Sequence, residues 1–167
     1  MKDVYVEWLI AKKRNFAGKV LRVVLLTLTI LLGILALGLG KLLILVLAVL
    51  MGFVTYFLFC LTDLEYEYIY VNGELMVDRI MQKSMRKRML NVDKSEIEII
   101  APMTSPKVDQ YKNRQWKEFI FTSGYQKDNR RIFEIYCNNG IKVVFEPNRE
   151  MIMAMKSQMP HKVTVED

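Results

Sequence analysis

From Val20 to Thr62 the chain is apolar at almost every position, with two charges, Arg22 near its start and Lys41 near the middle. Beyond that run the pattern changes. Residues 64–81 and 117–146 alternate apolar and polar positions, the period-two signature of half-buried strands. Residues 149–159 then return Ile152, Met155 and Met159 at helical spacing. The pattern predicts a long apolar helical region, a strand-rich globular portion and a final amphipathic helix.

A bilayer core about 30 Å thick needs roughly 20 helical residues to cross it, and the apolar run is about twice that length. Two spans, 20–39 and 42–61, fit better than one helix with half its apolar surface in water. Gly38, Gly40 and Lys41 mark the bend between them. Glycine permits the turn, and a lysine at an interface avoids the cost of several kcal/mol it would carry at the bilayer centre. A cleavable signal peptide is disfavoured, because the first stretch is too long for an h-region and a second span follows directly. Small residues four apart, Thr29/Gly33, Ala36/Gly40 and Ala48/Gly52, would let the two helices approach closely; Gly33, Ala36, Gly40, Ala48 and Gly52 are the candidate packing positions. Neither span has an ionisable residue at its centre, which disfavours an ion or proton path.

Residues 1–19 form a basic flank. Val4, Tyr5, Trp8 and Leu9 fall near one helical face, with Lys12, Lys13 and Arg14 beyond them. This fits an amphipathic helix in the membrane interface, with Tyr5, Trp8, Lys12, Lys13 and Arg14 as anchors; a frayed basic tail is the alternative.

In the globular portion, 63–167, Asn72-Gly73 between two alternating runs is a hairpin signal. A two-residue turn pairs Tyr70 with Leu75, Tyr68 with Val77, Tyr66 with Arg79 and Leu64 with Met81, a mostly apolar and aromatic face assigned to the core. The opposite face carries Glu65, Glu67 and Asp78, expected to be solvated, because like charges side by side need water. Residues 81–90 are ambiguous in period and are assigned to a strand. Residues 101–116 read as a long polar loop. Asn138-Asn139-Gly140 predicts a second hairpin, pairing Cys137 with Ile141, Ile135 with Val143 and Phe133 with Phe145. Asn148 can cap the last helix and Pro160 can stop it.

Charge sharpens this picture. The formal net charge is +6. Six basic against two acidic residues lie at or before Arg22, whereas 17 basic and 16 acidic residues follow Thr62. The excess therefore flanks the spans, where it holds the N-terminus in the cytoplasm. Two crossings return the C-terminus to the same side, so the expected location is the cell (plasma) membrane with both termini cytoplasmic. This is no nucleic-acid footprint, which needs a basic face on the folded domain. The two cysteines, Cys60 and Cys137, suit a reducing compartment.

About seven strands in antiparallel hairpins, closed by one helix, is the order of a pleckstrin-homology-type barrel. With "EYEYIYVNGEL" over Glu65–Leu75 after the second span, and "FEPN" over Phe145–Asn148 before the last helix, the chain resembles small bacterial membrane proteins that join a transmembrane hairpin to a cytoplasmic bacterial PH-like domain. The resemblance implies an α+β membrane protein: a two-helix transmembrane hairpin, then an antiparallel PH-like β-barrel or bent sheet with a C-terminal capping helix. It carries over no catalytic residue.

No catalytic constellation is visible. His161 has no nucleophile in its pattern, and Gly38-Leu39-Gly40-Lys41 lacks the strand–loop–helix context of a phosphate loop. No cofactor and no metal are expected. The sequence reads as a non-enzymatic, membrane-anchored interaction or scaffold module for a protein partner or a second copy of itself. The alternative is contact with anionic lipid headgroups through Lys83, Arg86, Lys87 and Arg88 and, from the 101–116 segment, Lys112 and Arg114.

Overall fold

The computed structural model describes residues 4–13, 16–62, 64–124 and 131–165. They form two compact units: the helical segment between Lys13 and Leu64, and a domain built from the residues on both sides of it.

The helical unit holds α1 (Phe16–Leu39) and α2 (Leu42–Thr62). Leu, Val and Ile dominate both helices, and each is long and apolar enough to cross a membrane. Gly40 ends α1. At φ +60° its N–H donates to the Ala36 carbonyl, 3.1 Å away, a left-handed cap that costs glycine nothing. The helices pack along a seam of near-heptad spacing. Arg22 and Ala36 are buried on α1, Ala48 and Thr55 on α2. The Thr29 and Thr55 hydroxyls meet at 3.1 Å. A Cβ on Gly52 would lie 3.9 Å from the Thr29 methyl, so this glycine sits in the close approach. Gly33 has open space around it, and Gly40 serves as the cap. Ala36, Ala48 and Gly52 are thus at the seam, while Gly33 and Gly40 contribute no packing there.

The domain has two four-stranded sheets. Sheet A runs in the order β1 (Tyr5–Ala11), β2 (Leu64–Val71), β3 (Glu74–Met81), β4 (Met85–Asp93). Sheet B runs β5 (Ile97–Pro102), β7 (Phe133–Cys137), β8 (Ile141–Phe145), β6 (Lys117–Phe121). The last helix, α4 (Arg149–Gln158), sends Met151, Ile152 and Met155 into the core between them, joined by Met159 just beyond its end. Both expected turns are present: Asn72 and Gly73 have φ of +49° and +104°, and Gly140 has φ +79°. β7 and β8 pair Ile135 with Val143 and Phe133 with Phe145. The Asn148 side chain accepts from the Met151 N–H at 2.8 Å, the expected cap. Buried among these elements, Cys137 has its thiol pushed up to about 12 by burial, as a core thiol should.

Four expectations are corrected. The N-terminal flank is a strand, not an interfacial helix: Tyr5–Ala11 pairs with Val71–Glu65 residue by residue. Val6 and Ile10 fill the core face, and burying each contributes about 2 kcal/mol. The globular domain therefore does not begin at residue 63; its first strand precedes the helices, giving eight strands among the described residues. Residues 101–116 are not an open loop. They hold a turn of 3-10 helix (Pro106–Val108) and the short α3 (Asp109–Lys112), packed on sheet B. Finally, β6 lies parallel to β8, the one departure from antiparallel pairing in sheet B. The sheets are tied across the core by Tyr68, whose hydroxyl donates to the Phe121 carbonyl and accepts from the Glu146 N–H at 3.3 Å.

Candidate functional site

The basic cluster of β4 is organised by one irregularity. Between Val77 and Asp78 the register with β4 slips: Val77 faces Leu90, but Asp78 faces Arg88. Met89 is the extra residue of a β-bulge. Without it, Arg86 and Arg88 would share a face with Leu90 and Val92, which point into the core. The bulge turns both arginines to the outer face, where Glu67 and Asp78 wait.

Those two acids are not solvated as expected. Glu67 and Asp78 are 2% and 3% exposed. Arg88 binds Asp78 through Nε at 2.8 Å. Arg86 reaches across β3 to Glu67, at 3.0 Å to Oε1 and 2.7 Å to Oε2. The Oε2 contact is ionic and not a well-aligned hydrogen bond. The arginines supply the charge that lets two carboxylates lie side by side out of water. Burial, and then a shared hydrogen bond with Glu7 of β1, hold the Glu67 carboxyl above its usual range. Glu7 is held below its range, first by the Tyr5 hydroxyl that donates to it at 2.6 Å.

The other two cations face elsewhere. Lys83 sits in the β3–β4 turn at φ +57°, next to Gln82 at +51°. Two successive side chains in the left-handed region cost about 1–2 kcal/mol each. Lys87 lies directly opposite Arg79 on the face shared with Val77. Lys83 and Lys87 are exposed and make no ion pair among the described residues. Arg79 is partly buried, and its Nε has no hydrogen-bond partner among the described residues. Lys12, one residue past β1, places its ammonium 5.8 Å from the centre of the Tyr66 ring.

The remaining candidates are dispersed. Lys112 pairs with Asp109 at 2.6 Å. Arg114 lies over the Tyr111 ring and 3.7 Å from Glu98. Both therefore belong to the segment covering sheet B. There Tyr111 stacks on Tyr136 at 4.8 Å, Trp116 meets Tyr136 edge-on at 5.1 Å, and the Trp116 indole donates to the Tyr111 carbonyl at 2.6 Å. Beside them Lys142 lies 2.9 Å from both Glu118 and Glu134. Burial alone would lower the Lys142 pKa, but its two carboxylate partners win and raise it. On β1, Tyr5 and Leu9 face outward, while Trp8 shares the core face and stays 38% exposed. Lys13 is exposed, and Arg14 lies outside the described residues.

In the helical unit Arg22 donates to the Phe59 carbonyl at 3.0 Å and stacks 4.6 Å from the Phe59 ring. The sequence reading did not single out this contact. The seven-residue step from Arg22 to Thr29 to Ala36 was its only signal.

Among the described residues, no three His, Cys, Asp or Glu side chains are grouped to hold a metal ion. What the described residues present on this sheet is a set of cations, some paired with buried carboxylates and some not.

Comparison with curated proteins gives no match, and comparison with solved structures gives none either. The family model described as bacterial PH-like domain (DUF6106) matches residues 2–165, which include β1, both helices and the whole of sheets A and B. The chain belongs to that bacterial PH-like domain family.

Proposed function

We propose that this protein is a non-enzymatic, membrane-anchored scaffold that presents its PH-like domain at the cytoplasmic face of the cell membrane to a protein partner or to a second copy of itself. The observation that carries the reading is the pairing of β1 with β2. β1 precedes the apolar helices and β2 follows them, and the two are neighbours over seven residues of each strand. Strands of one sheet share a compartment, so a membrane entered by α1 is left again by α2. The basic flank next to α1 favours the cytoplasm as that compartment.

Sheet edges are the natural surfaces for a partner, because their backbone groups can pair with an added strand. β1 and β6 are edge strands, and Leu9 and Ile120 there are 44% and 57% exposed. Photocrosslinking residues at Leu9 and Ile120, in the full chain in its native membrane, test the reading. One discrete adduct at either edge, absent when the crosslinker replaces exposed Ser157 on α4, is the expected result. Equal or absent labelling at all three positions would overturn it. Protease protection of tags at both termini checks the compartment separately.

A further inference from the structure

Four basic side chains, Lys12, Arg79, Lys83 and Lys87, gather at the open end of sheet A. The position of that end follows from connectivity within the domain. Ala11 pairs with Glu65, so β1 ends where β2 begins. The two-residue turn at 72–73 brings Met81 alongside Leu64, and Met81 pairs with Met85. Ala11, Leu64, Met81 and the β3–β4 turn therefore share one end of the sheet. It is also the end from which the chain departs: α1 begins five residues after Ala11, and α2 ends two residues before Leu64.

Among the described residues, cations outnumber carboxylates at that end. Arg79 and Lys87 are directly opposite each other in the β3–β4 ladder, an arrangement that destabilises a sheet unless an anion lies between them. The buried Nε of Arg79 donates to nothing among the described residues. Lys83 is held in the turn beside them, and Lys12 extends from the end of β1. Among the described residues Glu65 is the acidic group on this rim, and it faces outward with Ala11. Arg86 and Arg88 are excluded, because they neutralise Glu67 and Asp78 on the other face. Met85, 52% exposed at the start of β4, adds an apolar contact to the tip.

We infer that Arg79, Lys83 and Lys87, with Lys12 beside them, bind the phosphate of an anionic lipid headgroup in the bilayer that anchors the chain. The inference rests on the anchoring reading and is independent of any protein partner. A guanidinium and two exposed ammonium groups suit a phosphate oxygen set. Weak contacts of this kind would orient the domain and not recruit it, because the anchor already holds the chain at the bilayer.

The test uses the full chain in nanodiscs of phosphatidylcholine alone or with phosphatidylglycerol. A fluorophore at S84C, in a C60S background, reports quenching by a nitroxide on the lipid headgroup. Quenching is expected in phosphatidylglycerol discs, to fade with salt, and to be weak in phosphatidylcholine discs. Neutralising each of Lys83 and Lys87 to Gln should lower the ratio of docked to lifted tip about fivefold, while K87R retains it. Trp8 fluorescence confirms that the sheet is intact in each variant. Equal quenching in both lipids, or quenching unmoved by K83Q/K87Q, would overturn the site. Abolition by millimolar inorganic phosphate, at matched ionic strength, would reassign it to free phosphate. Failure to enter discs of either composition would instead overturn the anchor.

Discussion

The outer faces of the two sheets handle the same problem in different ways. Each buries carboxylates beside a cation. On sheet B, Glu134 is 1% exposed on its side chain and its partner Lys142 is 17% exposed, with Glu118 as a second partner. The segment carrying α3 roofs the adjacent part of this face with Tyr111 and Trp116. On sheet A, Asp78 and Glu67 are as deeply buried, yet Arg88 and Arg86 remain 49% and 54% exposed. There the arginine stems themselves are the cover, with their heads at the water boundary. Sheet B therefore keeps its charges in a closed network. Sheet A keeps its own at a surface where solvent stays available to one partner and not the other.

That contrast can be broken at several points, and the two tryptophans, Trp8 on sheet A and Trp116 on sheet B, give each sheet its own fluorescence reporter. The largest effect is expected at the strand that sheet B has no counterpart for. Ile10→Asp places a charge in the core under Tyr66 and should cost about 4 kcal/mol or more. In the full chain in detergent, both tryptophan signals should shift together, since the two sheets share one core. A shift confined to Trp8 would show that they do not. Next is Glu134→Ala, which removes one partner of Lys142 and the acceptor of the Tyr136 hydroxyl at 2.7 Å. A loss of about 3 kcal/mol in thermal or denaturant unfolding is expected.

On sheet A the same deletion should be asymmetric. Arg88→Ala strands buried Asp78 and should cost about 2 kcal/mol, whereas Asp78→Ala leaves an arginine that water can reach and should cost about 1 kcal/mol. Equal losses would mean that the arginine is as enclosed as Lys142. The smallest effect is on pH dependence. The folded pKa of Glu67 is raised, so its contribution is full below the ordinary carboxylate range and is lost as pH rises through the folded value. The folded pKa of Glu7 is lowered, so its contribution is present above that range and is lost as pH falls. Glu67→Gln should flatten the decline on the alkaline side and leave the acid limb set by Glu7. An unchanged profile would show that Glu67 ionises as freely as an exposed residue.

The sequence was informative where a local rule had no competitor. Asn72-Gly73, Gly140 and the Asn148 cap each dictate geometry through their own backbone, and all three stand in the structure. The two apolar helices follow from length and composition. What was illegible depended on partners distant in the chain. In "YVEWLIA" the alternation of Val6, Trp8 and Ile10 is a strand signal, but Val4, Tyr5, Trp8 and Leu9 also fit a helix. Only β2, more than fifty residues away, decides between them. In "MRKRMLNVD" the even positions run Arg86, Arg88, Leu90, Val92, which strict alternation would put on one face. The bulge at Met89 divides them and sets the arginines beside Asp78 and Glu67 on the neighbouring strands. The proposed anion site was half visible: Lys83 and Lys87 were singled out as cations, while Arg79 came to light only through its register opposite Lys87.

The order of synthesis gives the split sheet a further consequence. β1 leaves the ribosome first and has nothing to pair with until both helices and β2 have followed. A helix pair that entered the bilayer with only one crossing would strand β1 on the far side and leave Tyr66, Tyr68 and Tyr70 uncovered along one flank. Under the proposed anchoring, completion of the domain would depend on both crossings, and a wrongly threaded chain would carry an unfinished sheet.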